Sequence, residues 1–183
     1  MNWYEQPAQS PPDDRTVTGI RRGILTAILA VGLLGLAALA LALFPVGWWL
    51  FGRGRIPYPT VADFLFGLPF LIDVAGNALN LYDTVDRWDD LNHLVNWALH
   101  TAAIGLVLPY GPWSWRVRAA LAFGYAVTSA VLWELGEFVT YVPNLPEAAT
   151  AYRDTLGDLA LGMLGGLVGA LVTARLPPRR ALR

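Results

Sequence analysis

The chain contains no cysteine and no lysine. The first absence excludes disulfides and thiolate metal sites and leaves the redox compartment open. The second makes all 13 basic residues arginine, which base composition explains as readily as selection for anion contacts. Charge of either sign is scarce, at 15% of residues against about 25% in a soluble domain. Compact catalytic signatures are missing too: there is no HExxH and no ExxH pair. No serine or cysteine stands beside the two histidines, which argues against covalent hydrolysis. There is no internal repeat and no low-complexity stretch apart from the arginine-rich end, PPRRALR.

What the chain does have is apolar length: 55% of its 183 residues are hydrophobic. About 20 apolar residues cross a bilayer core, and five runs meet that requirement. The first extends from about Gly23 to Leu50, ending near Pro45, with Trp48 and Trp49 suited to the interface. The others span about Val61 to Tyr82, Asp89 to Tyr110, Trp115 to Val142 and Asp154 to Arg175, with the proline-marked loop PNLPEAATAYR before the last. The expected fold is an all-α polytopic membrane bundle of about five transmembrane helices, with the termini on opposite sides. Residues 1–18 read as a disordered tail rather than a signal peptide, 19–176 as the membrane domain and 177–183 as a basic tail.

The charge is segregated along the chain. Between Val61 and Asp158 stand eleven acids and four arginines, a balance of −7, whereas the flanks carry nine arginines and three acids, +6. An acidic excess in an apolar region must be protonated, solvated or paired with a cation.

Alternation of consecutive spans brings this excess to one level. Asp89, Asp90 and His93 open the third span, Glu134 and Glu137 lie near the end of the fourth, and Asp154 and Asp158 open the fifth. Asn77, Asn80 and Asp83 close the second. Helical spacing aligns Asp89, His93, Asn96 and His100, then Asp73, Asn77 and Asn80, then Glu134, Glu137 and Tyr141. Asp154 and Asp158 continue into Gly162, Gly166 and Gly169, a small-residue face that would let a neighbouring helix approach.

Each group also has a plainer reading. Asp89, Asp90 and Asp154 suit helix N-termini electrostatically. Asp73 and Asn77 serve equally well as interhelical hydrogen bonders, and so does His100; the glycines read first as packing residues. Glu134 and Glu137 resist such readings, because they sit at the end of a helix that the dipole disfavours for acids. The principal cluster is therefore Asp89, Asp90, His93, Glu134, Glu137, Asp154 and Asp158, with Asp73, Asn77, Asn80, Asn96 and His100 as a second layer.

Carboxylates and imidazoles on facing helices suit a hard or borderline divalent cation, which can polarise a phosphoryl or ester oxygen or activate water. Two other readings stand beside that one: a proton- or ion-coupled transporter or channel subunit, which at five spans would need to oligomerise, and a structural protein without catalysis.

The ordered motifs WDDLNH, WELGEFVTY and YRDTLGDLALGMLGG, within residues 61–175, resemble the YjdF-like family of uncharacterised bacterial inner-membrane proteins. More distantly, they resemble the VanZ-like proteins associated with glycopeptide resistance. In that pattern Asp89 or Asp90, His93, Glu134, Glu137, Asp154 and Asp158 occupy the matching positions. The resemblance implies a multi-pass protein of the bacterial inner membrane. Eight arginines on the side away from the cluster against five on its own side favour an outward-facing cluster. There, lipid head groups or lipid-linked envelope precursors are the expected partners; no nucleic-acid partner is expected.

Overall fold

The computed structural model describes residue 38, residues 41–140 and residues 151–178. Most of the expected first span, the tail at 1–18, Tyr141 and residues 179–183 lie outside these. The described part of the first span is helix α1 (Leu41–Gly52), which is shorter than a membrane crossing. It does not stop at Pro45. It continues to Gly52 through a wider π turn over Trp48–Gly52. The Trp48 indole donates to the Ile56 carbonyl at 3.3 Å and packs edge-on against Tyr58, folding the connector back on the helix end.

Among the described residues, four helices are long and apolar enough to cross a membrane. α2 (Thr60–Ala78) starts just after Pro59 and carries Pro69 in its buried interior, a residue that spans tolerate when neighbours satisfy the freed backbone group. It ends at Ala78 rather than near Tyr82, because Asn80 adopts a left-handed conformation (φ 55°) that breaks the helix. Asparagine accepts that conformation more readily than most residues. After it, α3 (Leu81–Thr84) is one turn, secured by the Thr84 hydroxyl donating to the Asn80 carbonyl at 2.7 Å. Arg87 is also left-handed (φ 59°), which resets the chain direction for α4 (Trp88–Val107). α4 tightens into a 3-10 turn at Leu108–Tyr110, where Pro109 sits. α5 (Trp115–Thr140) and α6 (Ala151–Ala174) complete the set, α6 starting three residues before the expected Asp154.

α4 is the central helix, packed on α2, α5 and α6. Lipid tails are as apolar as leucine, so helices in a membrane associate through close packing rather than through a hydrophobic drive. The interfaces accordingly hold small residues: Ala103, Ala126 and Ala170 are essentially inaccessible, and Gly162, Gly165, Gly166 and Gly169 of α6 are buried. A Cβ at Gly165 would strike the Leu94 carbonyl oxygen of α4, and one at Gly169 would lie 2.5 Å from the Ala98 carbonyl oxygen. Gly166 faces Ala126 of α5 instead. The large apolar side chains point the other way, with Phe64, Leu132, Val139 and Val172 all exposed. That is the inverse of a soluble core and suits a bundle whose outer solvent is lipid. Among the described residues there is no strand.

Candidate metal centre

The close α4–α6 contact fixes the cluster. His93 and Asp89 share a face of α4 one turn apart, Asp158 faces them from the first turns of α6, and Glu134 arrives from the last turns of α5. His93 Nε2 lies 3.6 Å from an Asp89 oxygen and 3.7 Å from an Asp158 oxygen. Its Nδ1 lies 3.7 Å from a Glu134 oxygen. One donor atom each from Asp89, His93 and Asp158 falls within 4.8 Å of the others. His93, Glu134 and Asp158 are buried and Asp89 half-buried.

These separations exceed the 2.7–3.2 Å of direct hydrogen bonds. They are close to the spacing of ligands around one shared ion: ligands about 2.0–2.2 Å from a tetrahedral zinc stand about 3.4 Å from each other. The two carboxylates would have to move inward to meet that geometry. The imidazole divides its nitrogens between the Asp pair and Glu134, as metal-bound histidines do when their second nitrogen is oriented by a carboxylate. Thr155 of α6 is within hydrogen-bonding reach of Glu134. Glu137 lies beside the core of the cluster, in the electrostatic field of His93, and accepts a hydrogen bond from the Trp133 indole at 2.9 Å.

The other residues of the expected set are placed differently. Asp90 and Asp154 are exposed at the rim, near enough to act on Asp158 through their charge alone. Asn80 leaves the Asp73–Asn77 stripe because its left-handed backbone ends the helix there, and it is exposed. Asn77 is also exposed and donates locally to the Asp73 carbonyl at 3.0 Å. His100 shares His93's stripe but meets a different helix, because α4 is enclosed on several sides. It packs edge-on against Phe66 and Phe70 of α2, with Trp97 beside it, and its Nδ1 has no hydrogen-bond partner among the described residues. Asn96 also keeps a buried, unpartnered Oδ1.

Asp73 belongs to a second network with two participants, Tyr82 and Asn92, outside the expected set. The Tyr82 hydroxyl donates to Asp73 Oδ1 at 2.5 Å and accepts from Asn92 Nδ2 at 2.6 Å, joining the end of α2 to α4 through α3. Burial, reinforced by the Asp73 carboxylate, pushes the Tyr82 phenol far above its ordinary range. Asn92 sits between Asp89 and His93 in sequence, so its position was a signal; Tyr82 reaches Asp73 only because Asn80 reverses the chain.

A family model described as "Predicted membrane protein (DUF2238)" matches residues 17–179. No curated protein and no solved structure matches the chain.

Proposed function

The chain belongs to the DUF2238 family of predicted membrane proteins, and on that premise we propose that Asp89, His93 and Asp158 form a divalent-cation site. In this reading the site binds or processes a lipid-linked or cell-envelope substrate at a bacterial inner membrane. The observation that carries it is the convergence of two carboxylates, from α4 and α6, on one nitrogen of a buried imidazole whose other nitrogen faces Glu134. One imidazole and two carboxylates make a donor set for hard to borderline ions such as Mn²⁺ or Zn²⁺. Asp89 and Asp158 would hold the ion with His93, and Glu134 would hold the imidazole in register. A cation there supplies Lewis acidity toward a phosphoryl or ester oxygen, or toward water. The substrate class is supported by the setting, a polar cluster at the ends of membrane-crossing helices, and by the resemblance to YjdF-like and VanZ-like proteins.

Metal analysis and calorimetric titration of the purified protein test the reading. Stoichiometric Mn²⁺ or Zn²⁺ is expected, lost in Asp158→Asn and in His93→Ala. The competing use of such a cluster is proton carriage through the membrane. Protein that binds no divalent ion but moves protons in liposomes would overturn the cation site in favour of a transporter.

A further inference from the structure

At the opposite end of α5 and α6, Arg118 is 5% exposed, and its Nε and Nη1 are buried without a hydrogen-bond partner. It lies sixteen residues before Glu134, about 24 Å away along the helix. Leaving donors of a permanent cation unmet in the interior is costly, so buried guanidinium groups are normally paired. No acidic side chain forms an ion pair with Arg118 among the described residues.

Arg118 lines an open recess of about 390 Å³ together with Trp115, Arg175, Leu176, Pro177 and Pro178. Arg175 is exposed across from it, and Arg116 stacks over the Trp115 ring at 5.5 Å. Two arginines converge on the recess, with exposed Trp113 and Trp115 marking the depth of the membrane interface.

We propose that this recess binds a phosphate group, and that its source is the head group of an anionic phospholipid in the leaflet opposite the His93 cluster. Guanidinium groups bind phosphate oxygens in two-point fashion, and basic pockets between spans at the interface suit lipid head groups. The phosphate would meet the Arg118 guanidinium where it lines the recess, while Arg175 closes over its outer oxygens. The indole of Trp115 and the two prolines would flank the glycerol backbone. This site is independent of the cation site, since it uses no residue of it.

Native mass spectrometry of the full chain, released from nanodiscs of phosphatidylcholine with or without phosphatidylglycerol, gives the direct test, alongside thermal unfolding with added inorganic phosphate. Phosphatidylglycerol should be retained by the parent, with retention at least about tenfold weaker in Arg118→Gln. Arg175→Gln, an exposed change that leaves the helix interfaces intact, should weaken it less. Arg118→Lys should recover only part of it, because lysine lacks the planar fork. Stabilisation by inorganic phosphate without selective lipid retention would overturn the lipid assignment and leave a site for a soluble phosphate. Should Arg118→Gln fold poorly, Arg175→Gln still decides: lipid retention equal to the parent in that variant and in Arg118→Lys overturns the proposal, as does indifference of the parent to both probes.

Discussion

Replacing Gly169 by alanine tests the packing on which the candidate metal centre depends. In an open helical position glycine to alanine gains up to about 1 kcal/mol. At Gly169 the new Cβ would stand 2.5 Å from the Ala98 carbonyl oxygen, 3.0 Å from Thr101 Cβ and 3.1 Å from the Ala102 nitrogen. Two of these are backbone atoms of α4, which cannot rotate away. Moving the closest contact from 2.5 Å to the ordinary 3.4 Å requires α6 to retreat by about 0.9 Å. A gap of that size forfeits about a quarter to a half of the dispersion energy along the interface, and overpacking costs about 1–3 kcal/mol. The net expectation is a loss of about 1–2 kcal/mol. Gly124 of α5 meets nothing within 4 Å of an added Cβ, so Gly124→Ala should stabilise by up to about 1 kcal/mol. The two substitutions are chemically the same and should have opposite signs. Asp158 lies three turns from Gly169 on the same helix. A rigid retreat of about 0.9 Å would carry it from 3.7 Å to about 4.6 Å from His93 Nε2, so cation affinity should fall as well. Unfolding followed by circular dichroism in detergent, with metal titration on the same samples, measures both effects. If Gly169→Ala is as stable as Gly124→Ala and keeps the parent's cation affinity, the close α4–α6 contact does not hold the site.

Three further outcomes follow from the geometry. Glu134→Gln leaves all three candidate ligands in place but weakens the partner of His93 Nδ1, so divalent-cation affinity should drop about 10- to 100-fold; calorimetry showing no change would remove Glu134 from an orienting role. Tyr82→Phe strips the hydroxyl that bridges Asp73 and Asn92 and should cost about 1–3 kcal/mol, whereas Tyr152→Phe, at an exposed position, should cost almost nothing in the same unfolding assay. Burial, and then the Asp63 carboxylate to which it donates, push the Tyr58 phenol up to about 12 from its ordinary 10.0. A raised folded value means that the contribution to stability is whole below about pH 10 and fades as the pH climbs through 12. Difference absorbance titration of the parent against Tyr58→Phe should place this phenol's ionisation near pH 12; ionisation at pH 10 would mean that the Asp63 contact is not kept.

Much of the candidate site is legible in the sequence, because alternating spans of similar length must return their ends to the same level. Alternation, together with helical spacing, gathers Asp89, Asp90, His93, Glu134, Glu137, Asp154 and Asp158 at one level; of these, Asp89, Glu134 and Asp158 lie around the His93 imidazole. The stripe rule was less successful. It grouped His100 with His93, yet a helix enclosed by three others gives neighbours on one stripe different partners, and His100 went to the aromatic side chains of α2. It also extended α2 through Asn80, since periodicity carries no information about the single left-handed residue that ends the helix.

That this is a helical membrane protein can be read from the chain's composition and patterning. Apolar length, sparse charge and small residues at helical spacing leave few other ways to satisfy the backbone in lipid. The same patterning sets the level at which the acids gather, through span length and alternation. Which acids face the imidazole and which stay at the rim emerges from helix packing, because that choice depends on helix rotation and on approach within a fraction of an ångström. Those are set by where glycine allows two backbones to touch. Packing likewise leaves Arg118, unremarkable in sequence, buried with its donors unmet, since burial comes from neighbours distant in the chain.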